Sequence, residues 1–319
     1  MKRFTGIITA AAVFASLLIY PDAAKEAVTE SLGICGSIII PSLFPFFVAA
    51  GLMTRTGAAA ALGKLLEPLC RRLFGVSGSG ASAFIIGISG GYPLGAAHIA
   101  ELYGDGDIDG EEAAKLLVFC NNSGPAFIIG AAGVGVFSSV SAGLFLYAVH
   151  IVSAVMGGIL FSSGSAGTEP EKTQEYVSVP FAIALTDSIK RSASSCISVC
   201  GFIVAFSIFT GILDEIGILA SLSARLAILT GTELTLNRAL LHGIFELGGG
   251  IAAMSGLGIS PLNLGLAAFI IGFGSISVHF QTFAVLDGLK INAVRYVLGR
   301  LVISVFAFAL AVLGGALLF

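Results

Sequence analysis

The chain has 319 residues, a net charge of −3, and 56% hydrophobic against only 11% charged residues, with a mean hydropathy of +1.00. A soluble domain carries about a quarter charged residues, so this chain lacks the polar surface to face water on all sides, and lipid must solvate much of it. The slightly acidic balance also leaves no global basic field for nucleic acid.

The N-terminus reads Met1-Lys2-Arg3, then an apolar run from Phe4 to Tyr20. That is the outline of a secretory signal peptide, but Pro21-Asp22-Ala23-Ala24 is a weak cleavage site. A retained membrane helix within 1–30 is the favoured reading. Further apolar stretches fall at 31–53, 79–103, 115–137, 140–163, 192–213, 240–258, 261–286 and 297–318. A span needs about 20 apolar residues. The stretch 79–103 is interrupted by Gly87-Ile88-Ser89-Gly90-Gly91-Tyr92-Pro93, and 240–258 by Glu246-Leu247-Gly248-Gly249-Gly250. Irregular backbone at membrane depth is tolerated only inside protein or along a cavity. Both stretches are therefore expected to be re-entrant helical hairpins that enter and leave on one side. The segments 58–74 and 217–230 place Arg beside apolar residues and predict short amphipathic helices along an interface. A polar run from Ser162 to Ser178 predicts a cytoplasmic linker over 164–190.

Charge placement supports the hairpins. With the N-terminus inside and each hairpin returning to its own side, 13 of the 16 basic residues are cytoplasmic, among them Arg55, Arg71, Lys115, Arg191 and Arg300. The resulting fold class is an all-α polytopic membrane protein with inverted structural repeats. The first repeat runs over 31–163 with hairpin 79–103, and the second over 191–319 with hairpin 240–258. Broken helices at matching positions of two inverted halves point to a secondary transporter with a midplane site.

Four polar constellations could serve that site. Asn121-Asn122-Ser123-Gly124-Pro125 opens an otherwise apolar span. Polar side chains in lipid are costly and face a cavity or a partner helix, and Pro125 frees a backbone carbonyl. Helix–helix hydrogen bonding is the plainer alternative. At the first hairpin tip, Ser89, Gly90, Gly91 and Tyr92 allow backbone amides close to a ligand, although a tight turn needs the same residues. His242 and Glu246 are spaced i,i+4, which puts them on one face of a continuous helix, and Glu246 is the carboxylate deep in an apolar stretch. A protonated Glu bonded to a neighbouring helix is the alternative there. Ser275 with His279, and Ser277 with Gln281, repeat the i,i+4 spacing, so at least one pair faces the interior.

The five cysteines Cys35, Cys70, Cys120, Cys196 and Cys200 show neither zinc spacing nor a disulfide framework, so buried thiols are expected and no metal or cofactor. No P-loop, GxSxG, HExxH or dinucleotide fingerprint occurs, and the expectation is not an enzyme. A coupling proton on Glu246, a cation held by Asn121 with backbone carbonyls, and facilitated movement without either all stay open.

The strings Ile40-Pro41-Ser42-Leu43-Phe44-Pro45-Phe46-Phe47, Ser89-Gly90-Gly91-Tyr92-Pro93-Leu94-Gly95-Ala96 and Phe119-Cys120-Asn121-Asn122-Ser123-Gly124-Pro125 resemble the YlbJ-type sporulation integral membrane proteins. That family belongs to the nucleoside recognition, or Gate-domain, group and is related to concentrative nucleoside transporters. The resemblance implies a multi-pass protein in the lipid bilayer that moves a small-molecule substrate. For the sporulation branch it implies dipicolinic acid and the outer forespore membrane, with a non-transporting sporulation assembly factor or a nucleoside transporter as the alternatives. The transporter relatives imply a homo-oligomer. They also imply a first-hairpin site at Gly90, Gly91 and Tyr92, an acidic second-hairpin residue at Glu246, and a late polar span at Ser275 and Ser277. Small residues replace the Gln-Thr-Glu tip of nucleoside transporters here, which implies a smaller or more anionic ligand held by backbone amides.

Overall fold

The computed structural model describes residues 2–162, 179–286, 289 and 291–319, and among these the only regular structure is helical. The chain begins with α1 (Lys2–Ile19). Next comes a 35-residue run made of α2 (Pro21–Ile34), a π-helical turn (Cys35–Ile39) and α3 (Ile40–Arg55). A short helix α4 (Ala58–Phe74) meets α5 (Gly78–Gly90) at a bend of 95°. The turn Gly91–Pro93 joins α5 to α6 (Leu94–Asp105). A broken element follows: α7 (Gly110–Cys120), an irregular stretch at 121–124, and a π-helical segment (Ala126–Val136). α8 (Val140–Phe161) is unbroken.

The same order of elements then runs a second time. A 35-residue helix α9 (Phe181–Glu215) is followed by the short α10 (Ile218–Thr230). The interrupted pair α11 (Leu234–Phe245) and α12 (Leu247–Ala252) comes next. The broken element α13 (Pro261–Phe273) with α14 (Ser275–Val285) and the unbroken α15 (Ala293–Leu318) complete the chain. The helices expected at 58–74 and 217–230 are α4 and α10. The linker expected over 164–190 lies outside the described residues up to 178, and α9 takes up its last part from Phe181.

Among the described residues, five helices are long and apolar enough to cross a membrane: Pro21–Arg55, Val140–Phe161, Phe181–Glu215, Pro261–Val285 and Ala293–Leu318. The stretch 115–137, read from sequence as one span, is not among them, because Asn121 to Gly124 leave the helix. At about 1.5 Å per residue, α5 and α6 are each about 20 Å long, too short for the ~30 Å hydrocarbon core.

The long helices are patterned for lipid. α9 buries Ala184, Ser188, Ser192, Cys196, Val199 and Ile203 on one stripe at three- and four-residue spacing, and it exposes Phe181, Ile183, Ile189, Ile197 and Phe209. α15 buries Gly299, Arg300, Ser304, Ala307, Ala311 and Gly315 and exposes Val294, Leu298, Leu301, Val305 and Leu313. Small and polar residues face protein while large apolar ones face outward. This is the arrangement expected where lipid removes the hydrophobic drive between helices and close backbone approach replaces it.

Two of the basic residues counted by charge placement are buried. Arg300 lies in the first third of α15 and is fully buried. Lys115 is buried on α7, with its Nζ 3.4 Å from Glu111. Helix α15 starts earlier than the apolar run suggests because Asn292 caps it, accepting from the amide of Arg295.

Close backbone contact sets where the first hairpin sits. A Cβ on Gly87 would stand 1.7 Å from the Cys120 carbonyl oxygen, and one on Gly95 would stand 2.4 Å from the same atom. Both arms of the hairpin thus straddle the end of α7. Gly87→Ala is expected to destabilise the protein by about 1–3 kcal/mol through overpacking. Gly201→Ala, at a site with nothing within 4 Å, should leave stability unchanged or slightly raised. Thermal melting of the purified protein in detergent checks this, and equal melting temperatures for the two variants would refute the packing claim.

Candidate functional site

The polar residues from the two halves of the chain meet in one buried region, and Arg300 is its centre. Its Nη1 donates to the Val118 carbonyl (3.3 Å) and to Asn122 Oδ1 (3.2 Å). Its Nη2 donates to the Tyr92 hydroxyl (2.7 Å) and to the Gly272 carbonyl. One guanidinium therefore joins the first hairpin tip, the break after α7, the end of α13, and α15. Tyr92 passes the bond on by donating to the Ile271 carbonyl at 3.3 Å. Among the described residues no carboxylate pairs with Arg300, and its Nε finds no partner.

Beside this hub, Asn121 Nδ2 donates to Thr282 Oγ1 (2.7 Å) and to the Tyr296 hydroxyl (2.9 Å). Asn122 Nδ2 returns to the Phe119 carbonyl at 2.6 Å, satisfying an end of α7 that the break leaves open. The backbone amide of Ser123 donates to His150 Nε2 at 3.1 Å. His279 Nδ1 lies 3.3 Å from the Tyr296 hydroxyl, and its ring meets Phe273 edge-on. Ser275, Ser277, His279 and Gln281 are all buried, so both i,i+4 pairs of that span face the interior. Ser275 accepts from the amide of Val278, whereas Ser277 Oγ has no partner.

At the first tip, Gly91 has φ +83°, and a Cβ there would stand 2.5 Å from the amide nitrogen of Gly124. A side chain is excluded there on both counts. Gly90 is also buried against the break: a Cβ on Gly124 would stand 3.0 Å from the Gly90 carbonyl oxygen. Ser89 stands apart, its hydroxyl donating to the Ile85 carbonyl of its own helix at 2.7 Å.

The expected His242–Glu246 pair does not form. α11 ends at Phe245, so the two residues no longer share a helix face. Glu246 instead caps α12: its Oε1 accepts from the Gly248 amide (2.8 Å) and its Oε2 from the Gly249 amide (2.5 Å). His242 Nε2 turns to Asp214 Oδ2 on α9 at 2.8 Å, and Arg238 joins the same oxygen at 3.2 Å.

Two cavities adjoin this region. The inner one, of about 40 Å³, is lined by Tyr92, Ser123, Gly124, Glu246, Gly248 and Gln281, with Leu43, Val199 and Ile203 as its apolar wall. It has room for only a few waters. The outer one is a vestibule of about 810 Å³ between α3, α6 and α9, bordered by Arg55, His98, Glu101, Asp105 and Arg191. The cavities follow each other along two helices. The π-helical turn gives Ile39 and α3 gives Leu43 to the inner cavity and Phe47 to Arg55 to the vestibule, while α9 gives Val199 and Ile203 to the first and Ser188 to Ser195 to the second. Phe47, on the vestibule wall, is buried in the same apolar cluster as Leu43 and Tyr92 of the inner cavity.

Arg300, Tyr296, Thr282 and His150 belong to this site without being among the residues that the sequence pattern marks for it. A signal for Arg300 was present: it falls inside the apolar run 297–318, and a charged residue within a span is a functional candidate by default.

The comparisons with known proteins agree with this architecture. Residues 36–166 match the Gate family, described as nucleoside recognition. The chain is 30% identical to the sporulation integral membrane protein YlbJ of Bacillus subtilis (strain 168), over 92% of this chain and 78% of that protein. The chain belongs to the YlbJ family of sporulation integral membrane proteins. Membership fits a multi-pass membrane protein, as do the apolar helices. In fold, this YlbJ-family chain is similar to the concentrative nucleoside transporter CNTnw. A variant of CNTnw in an intermediate state aligns with a TM-score of 0.58 at 14% identity, covering 99% of this chain and 84% of that one. A double variant in an outward-facing state aligns at 0.52 and 13%, covering 99% and 85%. The YlbJ-family chain therefore has a transporter-like helical fold.

The corrected pairing is open to a double-mutant cycle. His242→Ala and Asp214→Asn are expected to show a coupling energy of about 0.5 kcal/mol or more, while His242→Ala and Glu246→Gln should add independently. Thermal or denaturant unfolding of the single and double variants measures both. Coupling confined to His242 and Glu246 would restore the discarded pair.

Proposed function

We propose that this protein transports a small anionic solute, with dipicolinate as the best candidate, across the outer forespore membrane during sporulation. One observation carries the reading: the first hairpin tip, the Glu246 break and the Asn121–Gly124 break converge on one buried cavity, with a carboxylate-free guanidinium directly behind it. Binding sites of secondary transporters are built this way, from interrupted helices at the interface of two repeats. On this reading 31–163 and 191–319 are the two repeats, in opposite orientation, and the vestibule opens to the cytoplasm. The inner cavity is far smaller than the 300–1,000 Å³ of ordinary ligand sites, so substrate entry requires the hairpins to part.

Charge favours an anion that arrives with a proton. Arg300 adds a permanent positive charge next to Tyr92 on the cavity wall. Helix α6 starts at the same tip with no side-chain cap, so its positive end stays unneutralised. Glu246 opposes this, because its carboxylate lies on the cavity wall and already occupies the start of α12. An anion can share the cavity with Glu246 only if the carboxyl is protonated, since like charges at close range in a dry site repel strongly. The requirement gives Glu246 the part of proton carrier.

Uptake into proteoliposomes of labelled dipicolinate and of a nucleoside panel tests the proposal. Dipicolinate flux is expected, with a dependence on pH that disappears in Glu246→Gln while the variant stays inserted and folded. Flux of nucleosides alone would overturn the substrate reading. A protein that moves neither solute yet supports sporulation when Glu246 is replaced is an assembly factor instead.

A further inference from the structure

The surroundings of Arg300 are those of a metal-ion site more than of a salt bridge. Its acceptors are all oxygens: the Val118 and Gly272 carbonyls, the Asn122 side-chain carbonyl and the Tyr92 hydroxyl. The two backbone carbonyls have a particular origin. Val118 lies in the last turn of α7, which ends at Cys120, and Gly272 lies in the last turn of α13, which ends at Phe273. Both helices stop inside their broken elements, so their final carbonyls lack intrahelical partners and carry the negative end of the helix dipole. Transporters with broken spans direct such carbonyls at a coupling sodium ion. Here a side chain of the protein itself reaches that place from α15. Its charge is buried without a carboxylate, so the helix ends and neutral oxygens are what stabilise it.

We infer that Arg300 is a tethered cation: its guanidinium occupies the position where half-helix ends of a broken-span transporter would hold a free monovalent cation, and it makes that ion dispensable. The charge stays in the protein through every cycle. The inference deepens the transport reading and rests on it for the flux consequence, while the occupancy itself rests on the oxygen cage. It also separates the two coupling options. A cation beside Asn121 would have to share the Val118 and Gly272 carbonyls, and Arg300 takes both, although Asn121 Oδ1 itself has no partner among the described residues. Proton coupling through Glu246 is unaffected.

The experiment compares chloride salts of sodium, potassium and choline. Wild-type melting temperature in detergent is expected to be the same in all three, and dipicolinate flux likewise. Arg300→Ala should melt at a lower temperature and regain part of the loss in millimolar sodium or guanidinium, but not in choline. Arg300→Lys should keep more of the melting temperature than Arg300→Ala, because it retains the charge while losing the fork. Stabilisation of the wild type by sodium, or a sodium requirement for its flux, overturns the inference, as does an Arg300→Ala protein whose stability ignores every added cation. If Arg300→Ala does not fold, the wild-type salt comparison and Arg300→Lys decide. The melting arm needs no transported solute, so a flat wild-type salt response without dipicolinate flux would retire the transport reading and leave the tethered cation standing.

Discussion

A guanidinium cannot be left dry without oxygens around it, and that constraint organises this molecule. Burying an ionised group costs several kcal/mol after relaxation unless it is paired or hydrogen-bonded. Arg300 meets the requirement by drawing together chain segments more than 200 residues apart, from Tyr92 to its own position on α15. The two backbone acceptors are free because a helix stops, Val118 at the end of α7 and Gly272 at the end of α13, and the side-chain acceptors Tyr92 and Asn122 sit at helix breaks, after α5 and after α7. The interruptions and the buried charge are therefore one feature. Continuous helices would have no carbonyls to spare, and without the charge the exposed carbonyls would face one another.

Glycine makes the geometry possible. The first hairpin does not rest on side chains but on backbone, with Gly87 and Gly95 against the Cys120 carbonyl and Gly91 against Gly124. The second pair of arms does the same, since a Cβ on Gly250 would fall 2.1 Å from the Gly243 Cα. In lipid, where burying another Leu gains little over leaving it among acyl chains, such contacts supply the specificity. The abundance of Gly, 42 residues, is explained by approach distance at such sites and by the left-handed turns at helix ends.

Much of this was legible in the sequence. Composition forces a membrane environment, and helices stop at Gly90-Gly91 and at Glu246, while Gly248-Gly249-Gly250 lie inside α12. The short helices α4 and α10 follow from Arg placed beside apolar residues. The failures share a cause: each assumed that a helix continued, or that a charge near a span end served only topology. His242 and Glu246 are neighbours only if the helix runs through both, but a carboxylate followed by Leu-Gly-Gly-Gly offers a better cap than helix interior. Arg300 counts only toward the cytoplasmic charge bias, because basic residues near span ends usually serve that bias. Its partners lie on other elements, and no spacing within α15 could reveal them.

Helix α9 connects the site to possible motion. At its first end Asp187 pairs with Arg55 of α3 at 2.6 Å and Arg191 with Glu101 of α6 at 2.9 Å, all partly exposed. At its last end Asp214 takes His242 and Arg238 of α11. One arm of each interrupted pair is thus tied to the same long helix by surface ion pairs, each contributing about 0–1 kcal/mol. The Arg300 cage, by contrast, is fully buried, and losing any member leaves a buried charge short of an oxygen. Strong contacts lie where the tips meet and weak ones lie at the rims. If the hairpins part for a solute, the rim contacts can exchange at small cost. The cage must then either travel with one half or keep its charge satisfied from the carbonyls of whichever broken element stays. With α15 providing the arginine, and with α13 packing along it as Gly265 approaches Val312 and Gly272 approaches Ser304, the second broken element is the one that stays.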